Sequence, residues 1–226
     1  MRADATTAEQ ALRAPRAAAV AGIVFSLLLG TVIVLVRSAV PPHVSDAGQW
    51  LTEPTRRNSL QVALNLVPFS GISFLWFMAV IRNRIGPLED RFFATVFLGS
   101  GLLLVAAIFA DAAFAGGLLA MSGPSGTAVT GYQEQLWQFG RTAYQLLTTY
   151  SMRMAAVFTL SVSTIGRRLG ITPRWLAHLG YLTALVLLVM VSSVAWFELA
   201  FPVWTLVASI HILATASRFE QARTDR

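Results

Sequence analysis

Six apolar runs, separated by short segments carrying Arg, Pro and Gly, dominate this chain. A helix needs about 20 mostly apolar residues to cross the hydrocarbon of a bilayer. The runs are 17–36, 59–81, 92–119, 136–165, 175–195 and 199–216. They predict an all-α, polytopic transmembrane bundle of six helices, or five if the second run, interrupted by Asn65 and Pro68, fails to cross. Residues 1–16 then form a polar N-terminal tail, 17–216 the transmembrane helical domain and 217–226 a C-terminal tail. The N-terminus has no signal-peptide cleavage pattern, and the first run is too long for an h-region.

Charge points the same way. Only 12% of the 226 residues are charged and 55% are hydrophobic, whereas a soluble domain carries roughly 25% charged residues. All 17 basic residues are Arg, so chemistry through a lysine Schiff base is excluded. No Cys is present, which removes disulfides, thiol redox chemistry and thiolate metal sites. The net charge of +6 does not mark a nucleic-acid binder, because the Arg residues sit singly or in pairs between apolar runs. Nucleic-acid readers cluster theirs on one face.

The distribution of Arg predicts orientation. Arg2, Arg13, Arg16, Arg82, Arg84, Arg91, Arg167, Arg168, Arg174, Arg218, Arg223 and Arg226 fall on one side of a six-span topology. Arg37, Arg56, Arg57 and Arg141 fall on the other. The larger set belongs in the cytoplasm, so both termini are expected there, in the inner (plasma) membrane of a bacterial cell.

Arg153 remains, in the middle of the fourth run. A lipid-facing Arg at the bilayer centre costs at least ~2.5 kcal/mol, so a charge at that depth calls for shelter and a partner. By helical rise, Arg153 stands ~21 Å from the inner anchor at Arg167, and Asp111 ~30 Å from Arg91. Arg141 and Glu198 stand at ~39 Å and ~36 Å by the same measure. Helix tilt and an outward-reaching side chain could close the ~9 Å between Arg153 and Asp111, and Asp111 is equally close in depth to Arg141. The preferred scheme pairs Arg153 with Asp111 and Arg141 with Glu198. Two polar stripes mark the fourth helix. One carries Arg141, Gln145, Thr148, Met152, Thr159 and Ser163; the other carries Tyr150, Arg153, Ser161 and Thr164. A helix polar on two sides is expected inside the bundle, either fixing register through a salt bridge or lining a solute cavity.

Ala18, Gly22, Ser26 and Gly30 form a small-residue stripe on the first helix, suited to docking another helix of the chain or of a second copy. Asn65 lies one turn before Pro68 and is a candidate donor to a freed carbonyl or a polar lining residue. His178 and His211, near the inner end of the last hairpin, could ligate a metal or haem b. Hydrogen bonding of His211 to Tyr181 is the simpler expectation, and neither a metal nor another cofactor is expected. No metalloprotease helix, nucleophile elbow or phosphate loop is present in the sequence, which argues against an enzyme.

The stretches TPRWLAHLGYLTALVLL and FELAFPVWTLVASIHIL resemble the end of a bacterial family of six-span integral-membrane proteins classed as a domain of unknown function. The resemblance covers roughly the last 45 residues. It implies a span count and no activity. The leading expectation is a non-catalytic membrane component: a scaffold, sensor or accessory subunit. Its partners would be the bilayer and a membrane protein, or a second copy held through the first helix. The alternatives are a small-solute or ion pathway lined by Arg153, and a membrane enzyme or haem-binding electron carrier acting through His178 and His211.

Overall fold

The computed structural model describes residues 2–39, 54–85, 91–121, 131–189 and 196–224. Among them every regular element is helical: α1 (Arg2–Ala39), α2 (Pro54–Ile85), α3 (Arg91–Met121), α4 (Gly131–Arg168), α5 (Arg174–Val189), a 3-10 turn (Phe197–Leu199) and α6 (Ala200–Thr224). Helix α1 begins well before the apolar run, so residues 2–16 continue it as helix; their many alanines are strong helix formers. Helix α2 passes through Pro68 unbroken, and its Pro54–Asn83 stretch is long and apolar enough to cross a membrane. Pro68 faces outward, so no packed neighbour has to yield to its ring.

The six helices close into a ring. Helix α1 packs against α2 and α6, α4 packs against α3 and α5, and contacts of α2 with α3 and of α5 with α6 complete the circuit. The Gly22 stretch explains how α1 comes so close to two neighbours. A methyl group added at Gly22 would run into Ser209 of α6 and stand 2.8 Å from the Phe77 ring of α2. Ala18 and Ser26 of the same stripe are buried, while Gly30 meets nothing within 4 Å.

Phenylalanines fill the middle of the ring. Phe25, Phe74, Phe158 and Phe201 come from four different helices, and each is at most 1% exposed. Their ring centroids are 4.7 Å apart for Phe25–Phe74, 4.9 Å for Phe74–Phe158, 5.7 Å for Phe25–Phe201 and 6.3 Å for Phe158–Phe201. Phe97 of α3 extends the layer, 5.2 Å from Phe158. Tilted and edge-on pairs of this kind add about 0.5–1.5 kcal/mol each beyond the area they bury.

The outside of the ring is also apolar. Val20, Leu27, Ile72, Trp76, Leu103, Leu182, Leu185 and Val203 all project away from the core with about half or more of their surface exposed. A soluble monomer rarely displays so much contiguous hydrocarbon. Four segments, Ala17–Ala39, Pro54–Asn83, Phe92–Ala120 and Phe197–Thr215, are long and apolar enough to cross a membrane. Helix α5 is apolar but only 16 residues long among those described, and α4 is long but more polar. The fold is an all-α bundle of the integral-membrane type.

Candidate functional site

A polar cavity opens on one side of the phenylalanine layer. The order of residues along the helices locates it. On α4, Thr148 and Met152 line it before Phe158 is reached; on α2, Ala63, Leu64 and Val67 line it before Phe74. On α1 the lining residues Leu29, Ile33, Val36 and Arg37 follow Phe25. Its volume is about 60 Å³; one water needs about 10–15 Å³ on this measure, so it admits a few waters or one compact solute.

Asp111 of α3 is one of two carboxyl groups on its wall. Thr148 donates to Oδ1 at 3.3 Å and Ser151 donates to Oδ2 at 3.1 Å. Ala112 and Ala115 of the same helix line the cavity beside it. Tyr144, Thr148, Ser151, Met152 and Ala155 follow the three- and four-residue spacing of one helix face, so all five turn toward α3.

The carboxyl group is incompletely served. The Thr148 hydroxyl also lies 3.0 Å from the Tyr144 carbonyl, and the Ser151 hydroxyl 2.8 Å from the Leu147 carbonyl. Each hydroxyl owns one proton, so two protons are shared among four acceptors. A bound cation or N–H group at Asp111 would supply the donation that the hydroxyls divide.

Arg37 and Glu198 stand on the same cavity wall. Arg37, in the last turn of α1, donates from Nη2 to Oε1 of Glu198 and from Nε to Oε2 at 3.4 Å. Glu198 is 6% exposed and the Arg37 side chain 38%. The turn that carries Glu198 is set by Trp196, whose φ of 77° is left-handed; a residue other than glycine holds that conformation at a cost of roughly 1–2 kcal/mol. The Leu199 N–H closes the turn on the Trp196 carbonyl at 3.0 Å. Asp111, Glu198 and Arg37 all lie within electrostatic range of Tyr144, and Glu198 within range of Asp111. The cavity is therefore walled by two carboxyl groups and one guanidinium.

Both expected pairings give way to these partners. Glu198 meets Arg37 instead of Arg141, because α1 and α6 are neighbours in the ring. Arg141 is half-buried with contacts of its own. Asp111 meets the hydroxyls of Thr148 and Ser151, and Arg153 is exposed on the outside of α4. The cause is angular: Arg153 is two residues beyond Ser151, about 200° around the helix. Counted depth left ~9 Å between Arg153 and Asp111, and azimuth turned them apart. Tyr150 and Asn65 also face outward. The stripe with Thr148, Met152, Thr159 and Ser163 faces inward, so α4 is polar toward the core and only Tyr150 and Arg153 of the other stripe turn fully out.

His178 stands edge-on to Tyr181 at 6.2 Å between ring centroids, and His211 edge-on to Trp175 at 5.8 Å. Tyr181 is thus the neighbour of His178, where the sequence had suggested His211. Among the described residues no group of three or more His, Cys, Asp or Glu gathers in a way that could hold a metal.

Arg37, Tyr144 and Ser151 were not singled out from the sequence. Arg37 carries a depth signal, ending α1 at the level where Glu198 begins α6. Tyr144 and Ser151 carry a spacing signal with Thr148. Comparison with family models, curated proteins and solved structures finds no match to this chain.

Proposed function

We propose that this chain is a non-catalytic multi-pass protein of the inner membrane that binds a compact monovalent cation, such as a small ammonium, at Asp111. Both termini lie in the cytoplasm, and the cavity opens toward the outer half of the bilayer. The Arg distribution supports that orientation, and the likeness of the last helices to a six-span family supports the span count. Four apolar helices and an apolar exterior support the membrane location.

One observation carries the binding reading: an Asp111 carboxyl group in a small cavity, with two hydroxyl protons shared between it and backbone carbonyls. Two carboxyl groups against one guanidinium leave the wall electrostatically biased toward a cation. The size of the cavity restricts the solute to a few heavy atoms. A sensing or accessory role follows more readily than a pathway, because the phenylalanine layer closes the ring beyond the cavity and Arg153 faces away from it.

The test is thermal unfolding of the purified protein in detergent, with methylammonium gluconate replacing choline gluconate at constant ionic strength. At ten times Kd, binding raises the midpoint by roughly 3–6 °C. Asp111→Asn abolishes the rise while the variant still unfolds cooperatively. An equal response to both salts in the wild type would overturn the reading.

A further inference from the structure

Arg153 is a charge that the ring itself does not use. Its depth follows from the phenylalanine layer. Phe25 stands nine residues from Arg16, Phe74 eight from Arg82 and Phe158 nine from Arg167. By helical rise the layer lies ~12–14 Å from the inner anchors, near the middle of a hydrocarbon core about 30 Å thick. Arg153 is five residues from Phe158, so its backbone stands ~7.5 Å outward of the layer and still within hydrocarbon. Its side chain is exposed there, and among the described residues it makes no hydrogen bond or ion pair. On the neighbouring helices the exposed side chains include Leu103, Leu182 and Leu185, all hydrocarbon.

The surface around Arg153 is one stripe of α4. Leu146, Tyr150, Arg153, Val157 and Leu160 follow one another at spacings of four and three, which is a single helix face. Helices α3 and α5 pack against α4 and leave this stripe open, with Leu146, Tyr150 and Leu160 about half-exposed. Tyr150 sits one turn outward of Arg153 and offers a phenol O–H. The Thr149 hydroxyl beside it is already engaged, donating to the Gln145 carbonyl at 2.9 Å. The stripe thus presents a permanent cation and a hydroxyl donor between apolar flanks. A carboxylate is the complement, because it accepts the guanidinium fork through two parallel hydrogen bonds.

The described surface of a second copy does not supply that carboxylate. Asp111 is turned inward to Thr148 and Ser151, and Glu198 is held by Arg37. Among the described residues no exposed carboxylate stands on the exterior. Two copies meeting symmetrically through α4 would set Arg153 against Arg153.

We propose that this stripe docks one transmembrane helix of another membrane protein, bearing an aspartate or glutamate in the outer half of the bilayer that pairs with Arg153 and accepts from Tyr150. Lipid penalises an unpaired guanidinium, so the burden Arg153 places on the isolated chain becomes the drive for association. The inference rests on the membrane reading of the chain and not on cation binding at Asp111.

Energy transfer in phosphatidylcholine vesicles at pH 8 tests it. The chain lacks Cys, so one Cys added after Arg226 carries the donor dye. The probe is an acceptor-labelled, Lys-flanked polyleucine helix of about 20 residues, with one Glu five positions from its centre, against its Gln counterpart. The wild type binds the Glu helix at least tenfold more tightly than the Gln helix. Arg153→Leu abolishes that preference while keeping the methylammonium response, which shows that the variant is folded. Tyr150→Phe weakens the preference by about threefold. Equal binding of the two helices, as expected if Arg153 only reaches lipid phosphate, overturns the inference, and so does a preference that survives in Arg153→Leu. Energy transfer between wild-type copies without peptide, lost in Arg153→Leu, overturns it in favour of a second copy. Alkaline washing of the vesicles separates the two readings. A chain released by the wash sinks the membrane reading and the docking with it, whereas a retained chain with no preference sinks the docking alone.

Discussion

The Arg37 guanidinium grips both oxygens of the Glu198 carboxylate, joining the last turn of α1 to the turn that opens α6. These residues are 161 positions apart in sequence. Their union brings the first and last helices of the ring together above the phenylalanine layer, and it neutralises a carboxylate that is almost fully enclosed.

Removing either partner therefore strands the other. Arg37→Leu lowers unfolding stability by about 3 kcal/mol, because the Glu198 charge is left buried and uncompensated, whereas Glu198→Leu costs less, since the Arg37 side chain it leaves is 38% exposed. The double variant recovers a substantial part of the loss, since two apolar side chains of similar length replace the pair. Denaturation of the three variants in one detergent measures the coupling. Strictly additive losses would show that the two side chains do not depend on each other.

Arg153→Leu has little effect. Its side chain is exposed on the outer face of α4, so no packed contact is lost, and any change is toward stability because a lipid-facing Arg carries a cost that leucine does not. In a bilayer the long side chain reaches toward the head groups, and leucine needs no such escape. Folded yield and thermal midpoint close to wild type are expected. A collapse in either would return Arg153 to the interior.

Two glycines of the same helix respond oppositely to an added methyl group. Gly22→Ala drives Cβ against Ser209 and Phe77 and costs about 1–3 kcal/mol through overpacking. Gly30→Ala meets open space and is neutral or stabilising by up to about 1 kcal/mol, since alanine favours the helix. Midpoints from thermal unfolding separate the pair, and equal effects would remove the case for docking through Gly22.

The helical class and the lengths of the apolar segments were legible because both rest on local hydropathy and length. Partner choice was not. Depth along a helix can be counted from the sequence, and it put Asp111 midway between Arg153 and Arg141 and Glu198 level with Arg141. Which helices are neighbours and which way each side chain turns depend on how the ring closes. The contact of α1 with α6 settled Glu198 on Arg37, and the 200° between Ser151 and Arg153 turned the charge away from Asp111. The face Tyr144–Thr148–Ser151 was visible as a periodicity but lacked a counterpart until α3 was set against it.

The phenylalanine layer has a mechanical consequence. Phe25, Phe74, Phe158 and Phe201 come from four helices, and each ring rests against at least two of the others. None of them can swing aside without displacing its neighbours, so a tilt of one helix is felt by the other three.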